Sequence, residues 1–193
     1  RLDNPAGIAV DSNGNIYLAD WGYDLIRKIS PNGSVTILAG NGKPGSADGT
    51  GATASFYLPG GIAVDASGYV YVSDTYNNRI RKISPAGVVS TLAGKSAKGS
   101  ADGKGAAASF SHPAGITVEK NGNLYVADVG NNRIRMISPG GEVTTFAGTG
   151  VRGAKNGPAG AATFYRPFGV SCDEAGDIYV ADYQNNLIRK ISP

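Results

Sequence analysis

Residues 59–94 read PGGIAVDASGYVYVSDTYNNRIRKISPAGVVSTLAG. The period inside this stretch is two. GIAVD (61–65) and YVYVSD (69–74) are short and rich in β-branched and aromatic residues, and Ala66-Ser67-Gly68 between them predicts a hairpin. RIRKIS (79–84) follows across a Tyr76-Asn77-Asn78 turn, and VVSTLAG (88–94) follows Pro85-Ala86-Gly87. Four short strands joined by tight turns make an antiparallel meander. The chain then runs through KSAKGSADGKGAAASFSH (95–112), a Gly/Ala/Ser-rich connection without a sustained helical pattern. Its Ala-rich tip, Gly105–Phe110, has room for a single helical turn.

Outward from this unit, the same pattern recurs. Pro5, Pro59, Pro113 and Pro167 are 54 residues apart, as are Asp20, Asp74, Asp128 and Asp182, and Arg27, Arg81, Arg135 and Arg189. Aligned from Pro59 and Pro113 without a gap, the two central copies agree at 26 of 54 positions. The units are 1–54, 55–108, 109–162 and an incomplete 163–193. A lone four-stranded meander leaves apolar faces uncovered, and repeating it radially buries them. The expected fold is all-β, a propeller of four-stranded antiparallel blades. A stacked β-solenoid is the alternative, but its coils use shorter strands and periods.

Composition supports a packed domain. Hydrophobic residues are 41% of 193, and Gly plus Pro (29 and 10) fall below the level of about 25–30% typical of low-complexity disorder. No apolar run approaches the roughly 18 residues of a transmembrane helix, so no membrane insertion is expected. One cysteine excludes an internal disulfide, and one histidine excludes motifs that need two. A net charge of +3 is too small to imply a nucleic-acid or membrane partner.

The pattern P-x-G-[IV]-x-V-D-x-x-G-x-[IVL]-Y-[VL]-[AS]-D-x-x-N-N-x-I-R-K-I, present four times with small departures, resembles the NHL repeat. The GSADGxGAxASF connection is similar to that of the bacterial form. The resemblance spans essentially the whole chain and implies a propeller, most often six-bladed, that serves as a binding platform. Relatives with similar blades include metal-dependent lactone hydrolases and a peptide-amidating lyase.

Four full units would need 216 residues, 23 more than the sequence holds. Pro193 aligns with Pro31, Pro85 and Pro139, so the fourth unit stops before its outermost strand. Three readings follow: an excerpt of a longer propeller, a partial ring that assembles with other copies, or a closed four-bladed monomer. An unpaired outer edge is a template for strand addition, so self-association is expected. The start lacks Met and resembles no signal peptide, which leaves the compartment open. The abundance of small residues, the low charge and the single cysteine suit an exported, extracellular bacterial protein.

Features common to all units are read as structural. The recurring Asp is expected to bind backbone amides of its Asn-Asn turn, and the recurring Arg to pair with that Asp between blades. Asp48-Gly49-Thr50-Gly51 and Asp102-Gly103-Lys104-Gly105 loosely suggest calcium turns, but each connection offers one carboxylate and the third reads Asn156-Gly157-Pro158-Ala159. No metal or other cofactor is expected. Cys172 aligns with Val10, Val64 and Val118 and is expected to be a buried, inert thiol.

Function is sought where copies differ. The residue after the recurring Asp is Trp21, Thr75, Val129 or Tyr183, and Tyr23 and Tyr76 lie on the same turns. Trp21, Tyr23, Tyr76 and Tyr183 are therefore predicted at one face of the propeller as anchors for a protein, peptide or glycan. Their alternative role is to cover hairpin ends. His112, Tyr165 and Arg166 form a second cluster before the first strand. The leading expectation is a non-catalytic binding or assembly scaffold. Part of a metal-dependent hydrolase or lyase is the alternative, requiring ligands that converge on the channel, where Asp11, Asp65, Glu119 and Asp173 end the inner strands. RNA binding is third, and disfavoured because no aromatics interleave the basic strand.

Overall fold

A computed structural model describes residues 1–192; Pro193 lies outside the described residues. The first sheet contains Pro5–Val10, Ile16–Asp20, Leu25–Ile29 and Val35–Ala39. The second contains Pro59–Val64, Val70–Asp74, Arg79–Ile83 and Val88–Gly94, and the third Pro113–Val118, Leu124–Asp128, Arg133–Ile137 and Glu142–Ala147. The fourth has Pro167–Cys172, Ile178–Asp182 and Leu187–Ile191. Within each sheet successive strands pair antiparallel, and the inner strands of successive blades pack side by side. This is the expected propeller, and its helical content is confined to single turns, one at Gly105–Ala107.

The connections contribute more than the sequence suggested. Gly49–Thr50 pairs with Val88 and Val89, and Gly103–Lys104 with Glu142 and Val143, adding a short fifth strand to the next blade's outer edge. The expected four-stranded meander of these two blades thereby gains a two-residue edge strand supplied by the connection. The connection crosses because its Ala-Ser-Phe end is drawn into the interface between blades. Phe56, Phe110 and Phe164 are each at most 1% exposed there. Phe56 packs with Tyr17 and Ile26 of the first blade and Ile62 and Val72 of the second, so each core layer belongs to two blades. Burying a ring of this kind stabilises by about 1.5–3 kcal/mol.

Each ring also lies beneath a recurring Arg, with Arg81 5.2 Å from the Phe56 centroid. Arg81 Nη1 donates to Asp74 at 2.7 Å and to the Ser55 carbonyl at 3.0 Å, while Nη2 reaches the Ala47 carbonyl at 2.8 Å and Asp48 at 2.7 Å. Arg135 repeats this arrangement with Asp128 and Asp102. Arg189 does so with Asp182 and Asn156. The expected Arg–Asp pairing is present, with a second arm on the connection. The suggested calcium turns are thus occupied by guanidinium groups. Partial burial raises the Asp48 carboxyl, but the hydrogen bonds from Arg81 and Thr91 outweigh it and hold it below the usual range.

The recurring Asp differs from expectation in its backbone partner. Asp74 accepts the N–H of Tyr57, 17 residues earlier, and the Asn77 side-chain amide, rather than the backbone amides of its own turn. Asp128 and Asp182 likewise accept from Ser111 and Tyr165. The carboxylate fastens the incoming connection, whose N–H groups have no strand partner.

The last residue of each of the first three turns fastens the following blade. Asn78 lies in the left-handed region at φ 54°, and its side-chain oxygen accepts the N–H of His112 at 2.9 Å. Asp24 serves Leu58 and Asn132 serves Arg166 in the same way. Asn78→Ala removes this bond and places a less tolerant residue at positive φ. A loss of about 2 kcal/mol is expected. Chemical denaturation with a midpoint unchanged from wild type would contradict the assignment.

Both flanks of the series are open. Ile8 is 63% exposed where its equivalent Ile62 is 6%, and Ile188 is 75% exposed where Ile80 is fully buried. Cys172 is half-buried rather than buried, as Val64 and Val118 are at the same repeat position; its thiol contacts Thr117 Oγ and the Val118 carbonyl. No helix among the described residues is long and apolar enough to cross a membrane.

Candidate functional site

Alternating strand direction puts the turns after the recurring Asp, and the residues before each inner strand, at one end of every blade. Trp21, Thr75, Val129 and Tyr183 each open a single 3₁₀ turn there. Asn4, Leu58, His112 and Arg166 stand before the inner strands at φ of 48–50°, in the left-handed region, and the last three have their N–H groups held by a side chain of the preceding blade. Of these side chains, which vary between copies, His112 and Arg166 line the cavity at the mouth of the channel.

The result is a single aromatic surface rather than two clusters. Trp21 and Tyr76 meet edge-on at 5.9 Å, and Tyr76 meets the His112 ring at 5.4 Å. A cavity of about 200 Å³ is walled by Trp21, Tyr76, His112, Arg166 and Phe168 and floored by Thr75, Ala114 and Val129. Tyr183 lies beside Phe168, at 6.1 Å, and is 61% exposed. The Trp21 ring lies over Gly60, where an added Cβ would stand 2.7 Å from Thr75 Oγ1 and in ordinary contact with the indole.

Tyr23 and Tyr165 stand apart. The Arg27 guanidinium covers the Tyr23 ring at 5.6 Å, and Arg152 covers Tyr165 at 4.3 Å. Neither lines the cavity. Two contributors were missed in the sequence. Phe168, 53% exposed, stands where the other copies have Ala6, Gly60 and Ala114, so its bulk was the available signal. Tyr57 packs on Tyr76 at 5.2 Å, at a position otherwise Asp3, Ser111 and Tyr165.

The site is electropositive. Burial lowers the His112 imidazole below its ordinary value, and the charges of Lys98 and Arg166 lower it further. His112 is therefore neutral at pH 7. Among the described residues, no carboxylate lines the cavity.

Larger hollows, of about 280 and 500 Å³, lie at the opposite end between hairpin turns. Their carboxylates are engaged. Asp65 accepts the N–H groups of Ser67 and Tyr69 and the hydroxyl of Tyr71, and Asp11 does the same work in the first blade. Glu119 faces the Tyr125 hydroxyl and Asp173 that of Tyr179. Burial and the Asp11 hydrogen bond raise Tyr17 to about 12. Among the described residues, no three metal-ligating side chains gather into a site.

Comparison with known proteins agrees with the architecture. The NHL repeat family matches residues 56–83 and 110–135, and a β-propeller repeat family matches residues 1–19. NHL repeat-containing protein 2 of Bos taurus is 30% identical over 217 residues, covering 97% of this chain and 30% of its own length. A structural genomics protein of unknown function from Bacteroides thetaiotaomicron superposes with a TM-score of 0.82 at 25% identity, over 97% of this chain and 47% of that one. An auxiliary nutrient binding protein from the same organism gives 0.79 at 24% identity, over 96% and 47%. This chain spans less than a third of the curated relatives that head the comparison and about half of these solved propellers. Four copies of one meander, the shared interblade layers and the repeat match together place the chain in the NHL-repeat β-propeller family.

Proposed function

We propose that this propeller is a non-catalytic binding scaffold whose aromatic channel mouth takes a protein, peptide or glycan partner. The observation that carries the reading is the convergence of Trp21, Tyr76, His112, Arg166 and Phe168, from four blades, on one cavity. Structural positions repeat between blades, whereas these residues are where the copies differ. Exposed rings at fixed spacing offer large contact area with little side-chain entropy to lose. The resemblance to the nutrient binding protein supports the fold, and the surface supports the function.

Glycan and peptide arrays probed with the wild-type chain test this directly. Trp21→Ala and Tyr76→Ala are expected to weaken binding of a captured ligand at least tenfold each, the range of an aromatic hot spot, while circular dichroism stays unchanged. Retained binding in both variants would refute the reading. Self-association through the open flanks belongs to the same proposal. Light scattering behind a sizing column is expected to show a species heavier than the 19.7 kDa chain. A clean monomer would remove that part.

A further inference from the structure

We propose that the cavity at the channel mouth takes a single aromatic ring bearing a carboxylate, held by the rings of Trp21, Tyr76 and Phe168 and by the Arg166 guanidinium. This names the ligand chemistry of the surface described above and rests on that reading.

Size comes first. About 200 Å³ falls below the roughly 300–1,000 Å³ of pockets for drug-sized ligands, and matches one ring with a short substituent. The walls select the ring. Trp21 and Tyr76 meet each other edge to face at 88°, and both line the cavity together with the half-exposed Phe168, so an inserted ring meets aromatic walls.

Charge selects the substituent. Arg166 is exposed and lines the cavity, and among the described residues only its backbone N–H is hydrogen-bonded, to Asn132. The recurring guanidinium groups of Arg27, Arg81, Arg135 and Arg189, by contrast, are each committed to an Asp. Arg166 is therefore a cation with its fork free, beside a neutral His112 and with Lys98 near enough to influence that imidazole. A planar fork favours bidentate pairing with a carboxylate. With no acidic side chain in the lining, a ligand cation has no counter-charge here.

The test uses Trp21, the only tryptophan in the chain, as the reporter. The intact chain is titrated with 3-phenylpropionate and with 3-phenylpropanamide, which has the same shape without charge. The acid is expected to change Trp21 emission saturably, and the amide to bind at least tenfold more weakly. Arg166→Asn supplies the residue that the first blade carries at this position, Asn4, also at positive φ. It should reduce acid binding to the level of the amide. Phe168→Ala supplies the residue of the first and third blades and should weaken both ligands several-fold.

N-acetyl-Gly-Gly-Phe, as free acid and as C-terminal amide, distinguishes the two sources of this chemistry. A peptide acid that binds more tightly than 3-phenylpropionate assigns the site to chain ends; a weaker one assigns it to small free acids. Equal binding of acid and amide, or unchanged acid binding in Arg166→Asn, would overturn the inference. Silence with all four compounds, while an array ligand alters Trp21 emission, would overturn it and leave the binding surface standing. Silence with every ligand would overturn both.

Discussion

Gly115→Ala is expected to cost about 3 kcal/mol of folding stability, and Gly169→Ala close to nothing. The two glycines occupy the same repeat position, the third residue of P-x-G on the inner strand. A Cβ on Gly115 would stand 2.5 Å from the Phe168 carbonyl oxygen and 2.8 Å from the Val170 nitrogen, both backbone atoms of the next inner strand. Backbone cannot swing aside as a side chain does, so the blades must separate. On Gly169 the nearest atom is the Ala181 Cβ at 3.4 Å, an ordinary contact. Gly7 repeats the tight case against the Gly60 carbonyl at 2.5 Å, so the requirement belongs to the packing of the channel wall. Urea denaturation of both variants in parallel measures the difference. Equal losses would show that the glycine serves local backbone conformation instead of the approach between blades.

Arg135→Met is expected to be the most damaging single change, at about 3–5 kcal/mol. Arg135 and Asp128 are both fully buried, 2.9 Å apart, and the same guanidinium bonds Asp102 at 2.6 Å and the Ser109 carbonyl at 3.1 Å. Methionine keeps much of the volume over Phe110 but leaves Asp128 with the hydrogen bonds of Ser111 and Asn131 and no counter-charge.

A pH series separates this cause from lost packing. Burial already raises the Asp128 carboxyl above its ordinary value, against the opposing pull of Asn131, Ser111 and Arg135. Removing the Arg raises it further. A group whose folded pKa lies above its unfolded value binds more protons when folded, so its contribution falls as pH rises through that window. The deficit of Arg135→Met should be full at pH 7 and shrink towards pH 4. A deficit independent of pH would point to packing alone.

Much of the fold was legible because it is local and repeated. Alternating residues such as YVYVSD, hairpin signals such as Ala66-Ser67-Gly68 and the 54-residue register specify strands, turns and the repeating unit without reference to distant contacts. The Arg–Asp pair was legible for the same reason. What escaped depends on relations between blades. Gly49–Thr50 is too short to read as a strand and acquires its partner only when the connection crosses to Val88 and Val89. The Asp–backbone bonds span 17 residues, and no local turn rule reaches them.

At the candidate site, Trp21, Tyr76 and Tyr183 were visible as aromatic departures from the repeat. Their union with His112 and Arg166 was not, since it follows from left-handed φ at residues before proline, where extended backbone is the ordinary expectation. Phe168 was overlooked because it lies inside a strand, where a large apolar residue reads as core.

Backbone amide shifts of the labelled chain on addition of an array-identified ligand locate the binding surface. Shifts are expected at the channel mouth alone, at Trp21, Tyr76, His112, Arg166, Phe168 and Tyr183. Shifts gathered instead on the hairpin turns around Asp65 and Glu119, at the opposite end of the blades, would contradict that location.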